Sequence, residues 1–312
     1  MEKNNWEPII FENESYINSN NNYINQLITG NKSCIIVKNL ITYDECQKSI
    51  QVLIDKNIIN NKYDINLNLL KLFNFRHNNA LSDIGLTIDN MMWIKTDINK
   101  LWNQLSSVNK FLNSIYDDDN FNIYNVFINI IEKICGNNYN VEFMNNNDNY
   151  FSKGIIRIHN KGNNTNFPYH TDGFNYGCFT NGGITDNIRE QIPVASKNFG
   201  TNITCACILI LKQSKNVENI KLYNCLVDDL ITYKDKIQGR SHRVGTKYSN
   251  INLLQKILSE KKCYNPILNN GDFYIFSASR IHKLENIIEN KRIVLATFFA
   301  VDILNKKIII YQ

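Results

Sequence analysis

Four short runs in the second half of the chain restrict the fold more than any other feature: "GIIRIHN" (154–160), "NITCACILILK" (202–212), "GDFYIFS" (271–277) and "RIVLATFFAVD" (292–302). Each is rich in β-branched and aromatic residues and is separated from the next by Gly- and Asn-rich sequence, the pattern of buried strands. The first half reads differently. After an apolar run at 34–40 that reads as a short buried strand, Thr42 and Glu45 fit a capping box ahead of a helical stripe at Cys46, Ile50, Leu53 and Ile54. Further stripes predict helices near 98–116 (Leu101, Leu105, Val108, Leu112, Ile115) and 121–135 (Ile123, Val126, Phe127, Ile130, Ile131, Ile134), with Gly136 placed to end the latter. Helices first and strands second predict an α+β fold: an antiparallel sandwich or jelly roll with helices packed outside. No Pro/Gly/Ser-rich linker divides the chain, so residues 1–312 read as a single domain, with 1–149 mainly helical and 150–312 forming the strand-rich core.

Composition narrows the function classes. Apolar content of 43% against 20% charged suits a globular chain with a sizeable core. The net charge of +5 comes without any Lys/Arg run, so nucleic acid is not the expected partner. The 8 cysteines are scattered and lack the paired CxxC spacing of structural zinc. Cys205-x-Cys207 puts two thiols on one strand face, which suits free thiols in a reducing compartment. "IVLATFFAV" is too short to span a bilayer, and the first residues carry acids where a secretory signal needs an apolar stretch. A soluble cytoplasmic protein is the expectation.

Chemistry concentrates at "FPYHTDGF" (167–174), where His170 and Asp172 stand one residue apart. Side chains at i and i+2 of extended backbone point the same way, so this pair can offer two ligands to one metal ion. A mononuclear non-haem Fe(II) site needs a second imidazole, leaving the opposite positions open for other ligands. His77 lies in a polar stretch, His159 sits on the run just before the pair, and His242 lies in the polar "QGRSHRVG". His282 falls between two strong strand signals, and ten residues after it comes Arg292. A hairpin of that length returns the arginine beside the histidine, where a guanidinium can hold a dicarboxylate bidentately.

The HxD pair, the distal histidine and the following arginine together resemble the Fe(II)/2-oxoglutarate-dependent dioxygenase superfamily. The resemblance covers about 150–302, and 34–56 resembles the strand and helix often found ahead of that core. It implies a double-stranded β-helix (jelly-roll) core, with His170, Asp172 and His282 binding Fe(II) and Arg292 pairing with the far carboxylate of 2-oxoglutarate. Arg157 could also reach the cosubstrate, with a structural ion pair as the alternative. Many members carry Ser or Thr two residues after the arginine. Here Val294 stands there, which leaves Thr204 or Thr297 to supply a hydroxyl.

The implied activity uses O2 and 2-oxoglutarate to oxidise an unactivated C–H bond, releasing succinate and CO2. Related halogenases replace the carboxylate ligand by Gly or Ala, so Asp172 favours hydroxylation or desaturation. Segment 173–202 is a candidate lid or else a long surface loop, and 223–262 is a second insertion carrying Asp228, Asp229 and Arg240. Long insertions flanking a widely spaced HxD…H resemble the small-molecule and amino-acid-derivative hydroxylases. A peptidyl or nucleic-acid-directed oxygenase is the alternative.

Overall fold

The computed structural model describes residues 6–311, except 87–97, 118–120, 147–148, 151–152, 161–166, 173–202, 214–219, 227–228, 231–249 and 285–289. In the first half the elements are β1 (Ile9–Phe11), α1 (Tyr23–Ile28), β2 (Cys34–Val37), α2 (Tyr43–Asp55), α3 (Leu67–Phe73), β3 (Leu81–Ile84), α4 (Ile98–Ile115) and α5 (Ile123–Cys135). They continue with β4 (Asn140–Phe143), the short pair β5 (Asn145–Asn146) and β6 (Asn149–Tyr150), β7 (Ile155–His159), β8 (Phe167–His170), β9 (Ile203–Lys212) and β10 (Ile220–Leu226). The chain closes with α6 (Ile251–Ser259), β11 (Cys263–Tyr264), β12 (Phe273–Ser277), β13 (Arg280–Leu284), β14 (Arg292–Asp302) and β15 (Lys307–Ile310).

The strands assemble into a mixed nine-stranded sheet and a four-stranded sheet. The larger runs β1-β2-β12-β9-β14-β15-β4, with β7 pairing β14 and β3 pairing β7; the smaller runs β11-β10-β13-β8. Period-two alternation gives the larger sheet two different faces. On one face Cys205, Cys207, Leu209, Phe273, Ile275 and Leu295 join the helices in the main core. On the other, Ala206, Ile210, Tyr274, Phe276, Val294 and Ala296 pack with Ile220, Leu222 and Leu284 of the smaller sheet. The two sheets therefore face one another, and the helices cover the far side of the larger one.

The helices form for local reasons as well as by packing. Thr42 and Glu45 complete the expected capping box of α2, and Cys46, Ser49, Ile50 and Leu53 are its buried residues. The side chain of Asn122 caps α5, and Gly136 ends it at φ +59. Gly271 turns into β12 with φ +84, and a Cβ there would collide with the Ile41 carbonyl, so glycine is required. The adjacent Asp272 fixes this turn through Lys38 Nζ at 2.7 Å and the Asn39 N–H at 3.1 Å.

The division into a helical front and a stranded back is only half of the arrangement. β1, β2, β3 and β4 come from the front half yet pair within the larger sheet. These strands have three or four residues each, too short to display a period of two. β2, β3 and β4 are held by register with back-half strands, such as Ile35 opposite Ile275 and Asp83 opposite Arg157, and β1 is held by β2. Among the described residues, no helix is long and apolar enough to cross a membrane.

Candidate active site

The smaller sheet brings the distant halves of the predicted triad together. β8 and β13 pair antiparallel with His170 directly opposite His282. Their rings lie 4.3 Å apart between centroids. Asp172, just past the end of β8, is fixed by its backbone N–H donating to the Ala278 carbonyl at 2.7 Å. Asp172 Oδ2 then stands 3.1 Å from His282 Nε2 and 3.8 Å from His170 Nε2. Among the described residues these three form the group of metal-ligating side chains whose donor atoms all lie within 4.8 Å of one another.

The donor set fits a divalent transition metal of the iron type, which favours imidazole and carboxylate together. His282 Nδ1 lies 2.9 Å from the Arg280 carbonyl oxygen. A proton on Nδ1 donates there, leaving the Nε2 lone pair on the side of Asp172. Phe276 packs edge-on against the same ring at 4.9 Å and fixes its plane. Burial opposes ionisation of Asp172, but at low pH the positive charge of protonated His170 and then His282 outweighs it and brings the carboxyl down to about 2. The carboxylate is therefore ionised and ready to bind a cation at neutral pH.

These residues open into a pocket between the two sheets. Its floor is the inner face of the larger sheet. Toward β9 and β12 that floor is apolar, with Ala206, Ile208 and Phe276; toward β7 and β14 it carries Arg157, His159 and Arg292. Arg292 is 2% exposed. Its Nε donates to Gln213 Oε1 at 3.0 Å and Nη2 to the Tyr274 hydroxyl at 3.2 Å. Among the described residues no carboxylate pairs with it.

Arg157 also lines the cavity, but Asp83 holds it: Nε donates to Oδ1 at 2.7 Å and Nη2 to Oδ2 at 3.1 Å. The ion-pair alternative is therefore present. Thr204 requires a correction. Its hydroxyl accepts from Tyr311 Oη at 3.2 Å and its N–H donates to Ser279 Oγ at 2.9 Å, and it is absent from the cavity wall. It shares the inner face of β9 with Ala206 and Ile208 but lies beyond the cavity along the strand. Thr297 borders the cavity, although alternation along β14 assigns its side chain to the helix-facing side with Leu295 and Phe299.

Of the other histidines, His77 is hydrogen-bonded to Ser82 at 2.7 Å, away from the triad. His242 lies outside the described residues, as do the candidate lid 173–202, Asp228 and Arg240. Asp229 caps its own turn by accepting from the Leu226 N–H at 2.9 Å. His159 is the residue that sequence reasoning placed outside the triad and that the fold nevertheless places in the cavity. It stands opposite Arg292 in the β7–β14 ladder. Burial, then Arg292, Arg157 and Arg76, hold its pKa well below 6.5, so the ring is neutral. Its signal was the i+2 step from Arg157, legible only once the β14 register is known.

The arrangement of sheets has counterparts among solved structures. An N-substituted L-amino acid dioxygenase from Burkholderia ambifaria AMMD, solved alone and in complex with alpha-KG, superposes with a TM-score of 0.51 at 10% identity, covering 93% of this chain and 90% of that one. The DUF1479 protein GIG2 from Candida albicans gives a TM-score of 0.46 at 10% identity, over 93% of this chain and 65% of that one. The first likeness shows that this chain shares the fold of that dioxygenase. No protein-family model matches the chain, and no curated protein matches it significantly.

Proposed function

We propose that this protein is an Fe(II)/2-oxoglutarate-dependent dioxygenase with a jelly-roll core, hydroxylating an unactivated C–H bond of a small molecule of the amino-acid type. One observation carries the reading. A His-Asp-His triad, with His282 buried and His170 and Asp172 half-buried, and a buried arginine with no carboxylate partner among the described residues line the same cavity. Leaving a guanidinium buried without a counter-ion is costly unless a ligand supplies the charge. A dicarboxylate chelated at the triad and held at its far end by Arg292 supplies it.

In this reading His170, Asp172 and His282 hold the iron. When bound, the iron supplies activation of O2, coupled to oxidative decarboxylation of 2-oxoglutarate to succinate and CO2. The chain's own residues bind and orient. Arg292 and the Tyr274 hydroxyl grip the distal carboxylate, and Gln213 sets the plane of the guanidinium. Ala206, Ile208 and Phe276 keep that side of the cavity dry. The retained carboxylate ligand Asp172 supports hydroxylation over halide transfer. The likeness in fold to an N-substituted L-amino acid dioxygenase supports an amino-acid derivative as substrate class.

Release of labelled CO2 from 1-carbon-labelled 2-oxoglutarate tests this directly. It should require both Fe(II) and O2 and rise when the substrate is found in a metabolite screen. Release that persists without iron would refute the proposal.

A further inference from the structure

The C–H bond that is oxidised must lie beside the iron, in the part of the cavity that the cosubstrate leaves free. Arg292 holds the cosubstrate at the start of β14, and Phe298 lies six residues further along that strand, about 20 Å away in extended backbone. The wall around Phe298 is therefore left to the primary substrate. This wall has a definite shape. On the inner face of the larger sheet, Ala206 of β9 stands directly between Phe276 of β12 and Phe298 of β14. All three line the cavity. The two flanking strands lie about 9.6 Å apart, twice the ordinary spacing. An alanine between two phenyl rings leaves a slot. With carbon contacts of about 3.5–4.0 Å on each side, the slot takes one layer, a flat ring or a single alkyl chain.

Both rings are held by neighbours other than Ala206. Phe276 meets His282 edge-on at 4.9 Å and stacks on Tyr274 at 5.9 Å. Phe298 stacks on Tyr311 at 6.2 Å, and the Tyr311 hydroxyl donates to Thr204, the next inner-face residue of β9. Thr204 and Tyr311 thus bound one end of the slot, and Ile208 bounds the end toward Arg292. Burial points to the same place. Phe298 is the half-buried residue of β14, whose other ten residues are buried. Between the two ends of β9, Ile208 is the half-buried one. Both lie on interior strands, where packing covers a side chain on either face. The surface they keep opens into the cavity.

We propose that the primary substrate carries an apolar side chain, an aromatic ring or a straight alkyl chain, which lodges over Ala206 between Phe276 and Phe298. Ala206 and Phe298 are then the residues that set substrate specificity, and Phe276, packed against His282, brings the lodged side chain beside the iron. This rests on the oxygenase reading above and adds the side-chain class of the substrate to it.

The test uses protein loaded anaerobically with Fe(II) and 2-oxoglutarate. It is titrated with N-acetylglycine, N-acetyl-L-norleucine and N-acetyl-L-phenylalanine, following the visible charge-transfer band and the melting temperature. At least one of the two apolar probes should bind about tenfold or more tighter than N-acetylglycine, the gain expected from burying such a side chain. Ala206→Leu fills the slot and should bring that ratio near one, whereas Ala206→Gly should keep it. Phe298→Ala removes one wall and should lower the ratio about fivefold, with affinity for 2-oxoglutarate changing less than about threefold. If Ala206→Leu folds poorly through overpacking, Phe298→Ala carries the test alone.

The three probes binding alike, none of them binding, or an unchanged ratio in either folded variant, Ala206→Leu or Phe298→Ala, would each overturn the slot. A large loss of 2-oxoglutarate affinity in Phe298→Ala would overturn it too, because that wall would then belong to the cosubstrate. Failure of the parent protein to form the charge-transfer band would instead refute the oxygenase reading itself.

Discussion

Along β14 successive side chains serve opposite ends. Ile293, Leu295 and Phe299 enter the helix-covered core, while Arg292, Val294 and Ala296 face the cavity. The same contrast runs through β12, where Phe273 and Ile275 pack outward and Tyr274 and Phe276 inward. Both faces are buried, so burial does not separate a structural residue from a functional one here. The difference is chemical. The helix side is apolar and satisfied by packing, whereas the cavity side holds Arg157, His159 and Arg292 around a volume that packing leaves open. One face anchors the sheet to the helices and the other forms the floor of the cavity.

Substitutions on the two faces should therefore separate stability from binding. The largest effect is expected at the triad: His282→Ala should remove iron binding and reduce iron-dependent turnover to background, while the denaturant midpoint of metal-free protein barely moves. On the helix side, Phe273 is fully buried and meets Phe127 edge-on at 5.6 Å. Phe273→Ala should cost about 3–5 kcal/mol in denaturant unfolding, with little change in 2-oxoglutarate affinity for the fraction that folds. Across the sheet, Arg292→Gln should weaken 2-oxoglutarate by about 2–5 kcal/mol, roughly 30-fold to several thousandfold in equilibrium binding. If Arg292→Gln lowered stability as much as Phe273→Ala and left binding alone, the division between faces would be wrong.

Tyr274→Phe is a finer probe, because it removes only the hydroxyl that accepts from Arg292. One hydrogen bond of about 1 kcal/mol predicts about a fivefold loss of 2-oxoglutarate affinity. The smallest effect is a pH slope. His159 has a folded pKa well below 6.5, so the unfolded chain binds the extra proton first as pH falls. Stability linked to this residue is complete above pH 6.5 and declines below it. Denaturant midpoints measured from pH 7.5 to 5 should fall less steeply in His159→Gln than in the parent protein.

How much of this could be read from the sequence depends on whether a feature is local. The α2 capping box, the end of α5 at Gly136 and the four core strands were legible because each is written in adjacent residues. So were His170, Asp172, His282 and Arg292, because their chemistry and spacing together resemble a known pattern. The fold brings the first three within 4.8 Å of one another and places Arg292 in the same cavity. Asp83 had no such signal: it lies in a four-residue strand and matters only through its register with Arg157. Thr204 had the right strand and the right face but the wrong height, a quantity set by how far β9 runs past the cavity. His159 was set aside as too near the HxD pair to complete the triad. That reasoning holds for the metal and misses the cavity, because its place beside Arg292 is fixed by pairing with a strand more than a hundred residues away.

The most direct test of the central claim is a visible spectrum of the protein under anaerobic conditions with Fe(II) and increasing 2-oxoglutarate. A weak charge-transfer band should grow in and saturate, vanish in His282→Ala, and need at least about 30-fold more 2-oxoglutarate in Arg292→Gln. No band in the parent protein, or an unchanged titration in either variant, would contradict the assignment of the cavity.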